Sequence, residues 1–276
     1  MCATCGCGEA TGTTVLNLQT GEEAAMHPHD HDHPHEHVHA DGTRHSHAHD
    51  DGHGEVVALE TRILAKNDSL AAANRAWFKG REILALNLVS SPGAGKTSLL
   101  ERTIRDLQHE VRLFVIEGDQ ATDNDGQRIR AAGADAVQVN TGAGCHLEAD
   151  MVARGLKALK PGPGAVLMIE NVGNLVCPAL FDLGERAKVV ILSVTEGDDK
   201  PLKYPHMFKA AAVMIVNKTD LMAHVDFDMA VAVANARNVN PDIEILQLSA
   251  RTGEGLDDWY RWLRREAASV RAEAFA

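Results

Sequence analysis

A glycine-rich turn between an apolar run and a helical pattern carries the clearest chemistry of the sequence. The apolar run spans residues 83–89, and the residues that would surround a bound phosphate follow it: Gly93, Ala94, Gly95, Lys96, Thr97 and Ser98. Backbone N–H groups of such a turn, with the N-terminus of the next helix, favour the negative charge of a polyphosphate. Lys96 would reach the β- and γ-phosphates, and the Thr97 hydroxyl would bind Mg²⁺. Ser90 stands where this motif usually has glycine, which is tolerable if the backbone angles of Ser90 are ordinary.

A second loop predicts which base is bound. Asn217, Lys218 and Asp220 follow the apolar run at 212–216. The Asp220 carboxylate can accept hydrogen bonds from both N–H donors on the Watson–Crick edge of guanine, whereas adenine would leave it unpaired. Asn217 is predicted to orient the base, and the stem of Lys218 to pack over it. After the next strand a backbone N–H would contact the base oxygen, from the segment Ser249, Ala250 and Arg251. The sequence therefore predicts GTP.

Carboxylates at two further strand ends are predicted to complete the site. Asp119 ends the second strand and would support Mg²⁺, and Asp125 is a second candidate in the same acidic loop. Glu170 ends the fourth strand and would also support the metal, while the N–H of Gly173 would meet the γ-phosphate. Lys96, Asp119 and Glu170 are thus the predicted catalytic residues. No glutamine is placed to position the attacking water, so we expect slow intrinsic hydrolysis and a nucleotide-driven dimer that supplies the missing geometry.

Three cysteines at the start of the chain form a predicted metal site. Cys2, Cys5 and Cys7 are separated by glycines and small residues that let the backbone wrap an ion. Thiolates suit nickel and zinc, and a planar four-coordinate arrangement suits Ni(II). A redox-sensitive tail without metal is the alternative that the cysteines leave open.

Eleven of the fifteen histidines lie in one segment that alternates histidine with Asp, Pro, Glu and Ala. Because the segment has few apolar residues to offset the entropy of ordering, we predict that it is disordered without metal. Flexible imidazoles offer many weak, interchangeable sites for nickel, and binding should weaken below about pH 6.5. The predicted nickel-storage residues are His27, His29, His31, His33, His35, His37, His39, His45, His47, His49 and His53. A histidine-rich spacer without a metal role is the alternative.

A third set of soft ligands lies inside the main domain. Cys145 and His146 begin a helical pattern, and Cys177 follows the strand that ends at Glu170. Adjacent Cys145 and His146 cannot fill a tetrahedral site, so the fold must bring Cys177 to them. A lone cysteine is more often a small buried apolar residue. The position of Cys177 directly after the predicted γ-phosphate sensor favours a metal that responds to the nucleotide.

The elements that must position these residues alternate between strands and helices after residue 81. Apolar runs that suit buried parallel strands occur at 83–89, 112–116, 134–139, 165–169, 188–194, 212–216 and 243–248. Helical patterns at 96–107, 147–159 and 256–270 predict βαβ units and a mostly parallel, doubly wound sheet of the α/β class. Ligands should lie at the carboxyl ends of the strands. We divide the chain into a metal-binding tail (1–54), a helical linker (55–80) and a G domain (81–276).

Composition limits the classes of partner. The 276 residues carry a net charge of -12 with histidine neutral, which disfavours nucleic acid. No stretch approaches the roughly 18 apolar residues of a membrane helix, and the start lacks the order of a secretion signal. We therefore expect a cytoplasmic protein without a membrane role, whose five cysteines are reduced and not paired in disulfides.

Taken together, these motifs resemble the hydrogenase nickel-incorporation GTPase family, HypB, a branch of the P-loop NTPases that also contains the urease nickel GTPase. The resemblance covers almost the whole chain: the N-terminal cysteines, the histidine-rich insert, the phosphate loop, the segments around Cys145 and Cys177, and the segment from Asn217 to Asp220. It implies a G domain of the SIMIBI type.

By the same resemblance, Cys2, Cys5 and Cys7 would form a high-affinity nickel site. A weaker nickel or zinc site would lie at Cys145, His146 and Cys177, near a GTP-dependent homodimer interface. The implied partners are a nickel metallochaperone and the large subunit of a nickel-iron hydrogenase. Three alternatives remain at this point: a nickel storage protein with a vestigial nucleotide site, a nickel GTPase for urease maturation, and a small-molecule kinase, which would leave Asn217 and Asp220 without a purpose.

Overall fold

The computed structural model of the protein describes residues 14–17, 23–25, 52–119, 124–142 and 144–274. The strands are β1 (Thr14–Asn17), β2 (Glu23–Ala25), β3 (Leu84–Ser90), β4 (Leu113–Asp119), β5 (Asp135–Asn140), β6 (Val166–Glu170), β7 (Ala187–Ser193), β8 (Ala211–Asn217) and β9 (Glu244–Gln247). The helices are α1 (Gly52–Lys79), α2 (Lys96–Leu107), α3 (Asn124–Ala132), α4 (Ala149–Leu159), α5 (Cys177–Leu180), α6 (Lys200–Lys203), α7 (Pro205–Ala210), α8 (Met229–Val239) and α9 (Leu256–Ala274). A 3₁₀ helix spans Thr219–His224.

The described strands form one sheet in the order β2-β1-β5-β4-β6-β3-β7-β8-β9. From β5 to β9 every neighbouring pair is parallel, which confirms the predicted seven-stranded parallel sheet. Strand β3 lies at the centre, between β6 and β7. The phosphate loop therefore begins at the carboxyl edge of the sheet, where the strand order reverses and ligands of such folds bind.

Helices cover both faces of the sheet, as the doubly wound prediction requires. Alternate residues of β3 point to opposite faces: Leu84 and Leu86 pack with α2 and α9, whereas Ala85 packs with α1 and α4. A third apolar cluster joins α7 and α8 to the second half of the sheet. Since the strands are buried on both sides, their sequences are continuous apolar runs.

Helix α1 is bound to the G domain by amide side chains. The predicted linker is a single helix that begins three residues before the predicted start of the linker. Asn74 donates to the carbonyl oxygens of Ala149 (2.8 Å) and Leu183 (3.0 Å), and Asn67 accepts from the N–H of Ala149 at 2.9 Å. Both asparagines are buried. Buried amides cost free energy unless they are paired, so these bonds fix the register of α1 on the start of α4.

The short strands β1 and β2 lie within the predicted tail and are not expected from its sequence. They pair antiparallel with each other, and β1 pairs antiparallel with the edge strand β5, Thr14 opposite Asn140. Three or four residues of pairing depend on the open edge of β5 and not on local periodicity, which explains why the sequence pattern does not reveal them. Among the described helices, none has the length and apolar character needed to cross a membrane.

Candidate nucleotide site and metal centre

The phosphate loop has the backbone conformation that its glycines predict. Gly93 and Gly95 have φ of 76° and 92°, in the left-handed region. A Cβ on Gly95 would lie 2.5 Å from Nδ2 of Asn217, so this position excludes any side chain. Ser90 belongs to β3, is buried, and donates from Oγ to the carbonyl of Ser91 at 2.8 Å. Its φ is not positive, which is the condition under which serine can replace glycine there.

A cavity of about 560 Å³ opens above this loop. Its size suits a nucleotide's phosphates, and backbone N–H groups line much of it. The lining residues are Ser90, Ser91, Pro92, Gly93, Ala94, Gly95, Lys96, Thr97, Ser98, Glu117, Gly118, Arg128, Glu170, Asn171, Val172, Gly173 and Lys218. The cavity thus joins the predicted phosphate loop to Glu170, the predicted Mg²⁺ residue, and to Gly173, whose N–H is predicted to contact the γ-phosphate.

Glu170, Lys96 and Thr97 meet at the base of the cavity. The Thr97 hydroxyl donates to Oε1 of Glu170 at 2.7 Å, and Nζ of Lys96 lies 3.4 Å from the same oxygen. The second oxygen of Glu170 is buried and has no hydrogen-bond partner among the described residues. A buried carboxylate oxygen without a partner next to a hydroxyl suits Mg²⁺, which prefers oxygen ligands. The side chains of Asp119 and Asp125, also predicted for this metal, lie outside the described residues.

The predicted guanine loop, residues 217–220, is bonded to the phosphate loop, residues 91–97. Nδ2 of Asn217 donates to the carbonyl of Ala94 at 2.9 Å, and its Oδ1 accepts from the N–H groups of Lys218 and Ala250. Nζ of Lys218 donates to the carbonyl of Gly93 at 2.6 Å. Asn217 is therefore buried between three loops. Its hydrogen bonds hold those loops in register.

Asp220, which is predicted to bind the Watson–Crick edge of guanine, lies beside the segment after β9. The hydroxyl of Ser249 donates to Oδ1 of Asp220 at 2.6 Å, and its oxygen accepts from the N–H of Thr252. These bonds fix one carboxylate oxygen of Asp220. Because the carboxylate is planar, they also restrict the position of the other oxygen. Ala250 is buried at the same point, whereas Arg251 is exposed to solvent.

The fold brings the three internal soft ligands together. Sγ of Cys145 lies 3.0 Å from Sγ of Cys177 and 3.6 Å from Nδ1 of His146, and the ligand atoms of all three lie within 4.8 Å of one another. Ligands at about 2.0–2.3 Å from a tetrahedral ion are separated by roughly 3.5 Å, so these distances suit one soft metal ion. Cys177 begins α5 and is buried, while Cys145 is half-buried.

His146 is held in its neutral form. Its ring lies 4.0 Å from the ring of Phe181, and burial lowers the pKa of His146 to about 4. Burial also raises the pKa of Glu148, whose Oε1 is 3.8 Å from Nε2 of His146. The imidazole is thus uncharged at neutral pH, and its contact with Glu148 is not an ion pair. Neutral imidazole is the form that binds metal.

The other predicted metal residues cannot be placed. Cys2, Cys5, Cys7 and ten of the histidines lie outside the described residues. His53 falls within the backbone of α1, but its side chain is not described either. The tail sites therefore stay predictions.

Three residues near these sites were not predicted. Arg128 lines the cavity and lies 3.5 Å from the Ser98 hydroxyl, Asn171 bonds loops of both sites, and Phe181 covers His146. A sequence signal for Asn171 does exist. Asn87 is a polar residue inside the apolar run of β3; it is buried and accepts a hydrogen bond from Asn171. Phe181 gives no such signal, because its contact depends on loop packing.

Comparisons with known proteins agree with this geometry. Residues 84–247 match the family model "CobW/HypB/UreG, nucleotide-binding domain". The chain is 60% identical over 211 residues to the hydrogenase maturation factor HypB of Azotobacter vinelandii, covering 76% of this chain and 70% of that protein. It is 43% identical to the HypB of Cupriavidus necator, covering 99% of this chain and 91% of that one. The crystal structure of HypB from Helicobacter pylori in complex with nickel superposes with a TM-score of 0.69 at 38% identity, covering 74% and 96%.

Proposed function

Since the chain belongs to the HypB branch of the CobW/HypB/UreG nucleotide-binding family, we propose that it hydrolyses GTP and uses that cycle to insert nickel into nickel-iron hydrogenase. The observation that carries the proposal is a single segment. Residues 170–177 begin with the carboxylate at the base of the phosphate cavity and end with a thiol of the soft-metal cluster. Glu170, at the base of the phosphate cavity, is therefore only seven residues from Cys177, the proposed metal ligand.

Hydrolysis in this site rests on positioning and charge. The N–H groups of the phosphate loop hold the phosphates, and Lys96 offsets the charge that develops on the oxygen between the β- and γ-phosphates. Thr97 and Glu170 would hold Mg²⁺, which supplies further positive charge to the phosphate oxygens when it is bound. The oxygen of water bonds to the γ-phosphorus, the bond to the β-phosphate oxygen breaks, and the water protons leave with inorganic phosphate and solvent.

A comparison of GTP with ATP turnover tests the enzyme. The full chain at fixed Mg²⁺ should hydrolyse GTP slowly and ATP at the rate of Lys96→Ala, which serves as the blank. Equal turnover of both nucleotides, or a preference for ATP, would exclude the guanine assignment. A Lys96→Ala variant as active as the parent would show that the activity comes from a contaminant.

Nickel is the proposed cargo, and the proposal gives the three ligand sets different roles. Cys2, Cys5 and Cys7 bind the tightest nickel ion, the histidine segment stores weakly bound ions, and the cluster of Cys145, His146 and Cys177 binds nickel or zinc. The cluster supports this with soft ligands of suitable spacing. The name of the Helicobacter pylori structure records nickel in a relative.

Nickel titrations of variants distinguish these ligand sets. Cys2→Ala or Cys5→Ala should remove the tightest nickel equivalent, while deletion of residues 27–53 should lower only the number of weakly bound ions. Unchanged tight binding in both cysteine variants would refute the tail assignment. Cys177→Ala should change the affinity of the remaining site, and by a different factor with GDP than with a GTP analogue.

The partners form part of the same proposal. A GTP-dependent homodimer would supply groups that position the attacking water, since the sequence motifs predict no glutamine for that role. A nickel metallochaperone would exchange metal with this protein, and the hydrogenase large subunit would receive it. We place this work in the cytoplasm, where thiols stay reduced and can bind metal. Light scattering with GDP and with a GTP analogue tests the dimer: a monomer in both states would contradict it.

A further inference from the structure

Asn171 lies where the loops of the nucleotide site and of the metal centre meet. It follows Glu170 at the end of β6 and is 1% exposed. Its Oδ1 accepts from two N–H groups, that of Leu147 and that of Val172, each at 3.0 Å. Leu147 directly follows the metal-ligand His146, and Val172 lines the phosphate cavity. One amide oxygen therefore holds a segment of each site.

Leu147 adds a second contact between the two sites. Its side chain is fully buried and fills the space that a Cβ on Gly118 would need: such a Cβ would lie 2.7 Å from Cγ of Leu147. Gly118 belongs to β4 and lines the cavity next to Asp119. Leu147 is thus bonded to the loop after β6 through its N–H and packed on the end of β4 through its side chain.

The far side of Asn171 is fixed to the middle of the sheet. Its Nδ2 donates to Oδ1 of Asn87 at 3.2 Å, and Asn87 donates to Glu185 at 3.1 Å. Glu185 accepts from the N–H of Leu183 at 2.6 Å. All three polar side chains are buried, so each is expensive to leave unpaired. This chain of bonds contacts only the Nδ2 end of Asn171, so the link between the two loops runs through its Oδ1 alone.

We propose that Asn171 is a positioning residue that transmits the nucleotide state to the metal centre through the N–H of Leu147. When a γ-phosphate draws Val172 and Gly173 toward it, the shared oxygen of Asn171 moves with the loop. Leu147 follows, and with it the imidazole of His146 shifts relative to the thiols. The inference rests on the proposed function, because it assumes that metal affinity depends on the nucleotide.

A spectroscopic titration of the full chain tests this. In a parent with Cys2, Cys5 and Cys7 replaced by alanine, only Cys145 and Cys177 remain of the five cysteines. Thiolate-to-nickel charge-transfer absorption then reports the internal centre alone, and histidine-bound nickel gives no such band. The dissociation constant of Ni²⁺ is measured with saturating GDP and with a non-hydrolysable GTP analogue. The ratio of the two constants is the coupling between the sites, and nickel must change the nucleotide affinities by the same factor.

We expect a ratio of at least about fivefold in the parent, the lower end of common allosteric couplings, and less than about twofold in Asn171→Ala. Asn171→Asp keeps an oxygen for both N–H groups and loses only the donor to Asn87, so it should retain the parent ratio. Asn87→Ala is the matched control: it removes a buried amide of the same chain of bonds but leaves both N–H contacts, so its ratio should stay near the parent value. If Asn171→Ala does not fold, Asn171→Leu, which fills a similar volume without an oxygen for the two N–H groups, should lower the ratio in its place.

The outcomes separate the inference from the proposed function. If Asn171→Ala weakens nickel binding equally in both nucleotide states, its role is only structural and the inference is wrong. If the parent ratio is one, the proposed coupling fails and the role of Asn171 fails with it. GTP turnover in the parent still tests the enzymatic part of the proposal independently.

Discussion

Replacing Asp220 by asparagine should reverse the base preference of the nucleotide site. The hydroxyl of Ser249 donates to Oδ1 of Asp220 at 2.6 Å, so the asparagine keeps its oxygen at that position and its NH₂ group takes the place of Oδ2. Guanine then faces a donor where it needs an acceptor. The hydrogen bond that Oδ2 accepts from guanine is lost, and because a hydrogen bond to a charged group contributes about 1.5–3 kcal/mol, GTP should bind roughly tenfold to a hundredfold more weakly.

Xanthine nucleotides provide the complementary arm of this assay. Xanthine carries a carbonyl where guanine has its amino group, and that carbonyl can accept from the new NH₂ group. The variant should therefore bind XTP more tightly than GTP, as measured by competition against a fluorescent nucleotide. Asp226→Asn, an exposed position in the same stretch, is the control that removes one charge without touching the base. A GTP affinity within threefold of the parent in Asp220→Asn would refute the reasoning.

Three further predictions concern the loop glycine, the buried imidazole and the cavity carboxylate. Gly95→Ala places a side chain on a residue with a φ of 92° and displaces the hydrogen bond between Asn217 and Ala94. The substitution should therefore lower the free energy of unfolding, measured by urea denaturation, by about 2 kcal/mol. An unchanged urea midpoint would contradict this geometry. Because the pKa of His146 is about 4 when folded and about 6.5 when unfolded, only the unfolded chain takes up the proton between these values. Metal-free protein should therefore lose about 3 kcal/mol as the pH falls from 6.5 to 4, and His146→Gln should remove that part of the slope, whereas an equal slope in both proteins would refute the burial argument. Glu170→Gln should raise the Mg²⁺ concentration needed for GTP hydrolysis at least about tenfold, and an unchanged requirement would exclude Glu170 as a metal residue.

The parallel sheet could be predicted because its information is local. Each strand from β3 to β9 overlaps one of the predicted apolar runs, and α2 begins and ends at the predicted residues, Lys96 and Leu107. The phosphate loop and the guanine loop are short continuous segments whose roles follow from strand ends. The spatial approach of Cys145 and Cys177, 32 residues apart, could be predicted only in outline, from the rule that loops at the carboxyl ends of neighbouring strands meet.

The contacts that could not be predicted are those between segments far apart in the chain. The pairing of β1 with β5 joins residues at least 120 positions apart and depends on an open sheet edge. Asn67 and Asn74 lie seven residues apart on α1 and therefore share a face, which indicates a buried polar contact but does not identify Ala149 as its partner. The sequence pattern indicates that such a side chain is buried, and only the fold shows what it binds.

The position of β3 explains why the proposed link between the two sites runs through the loop after β6. Strand β6 is the neighbour of β3 on one side and of β4 on the other, so its carboxyl end lies between the phosphate loop and the end of β4. A segment that leaves β6 passes the phosphate loop before it reaches α5. Gly173 is the residue that allows this passage, because a Cβ there would lie 3.1 Å from the backbone nitrogen of Pro92. Cys177, the proposed metal ligand at the start of α5, therefore belongs to a segment in van der Waals contact with the phosphate loop, and a displacement that GTP would impose on Gly173 would have only four residues to cross before Cys177.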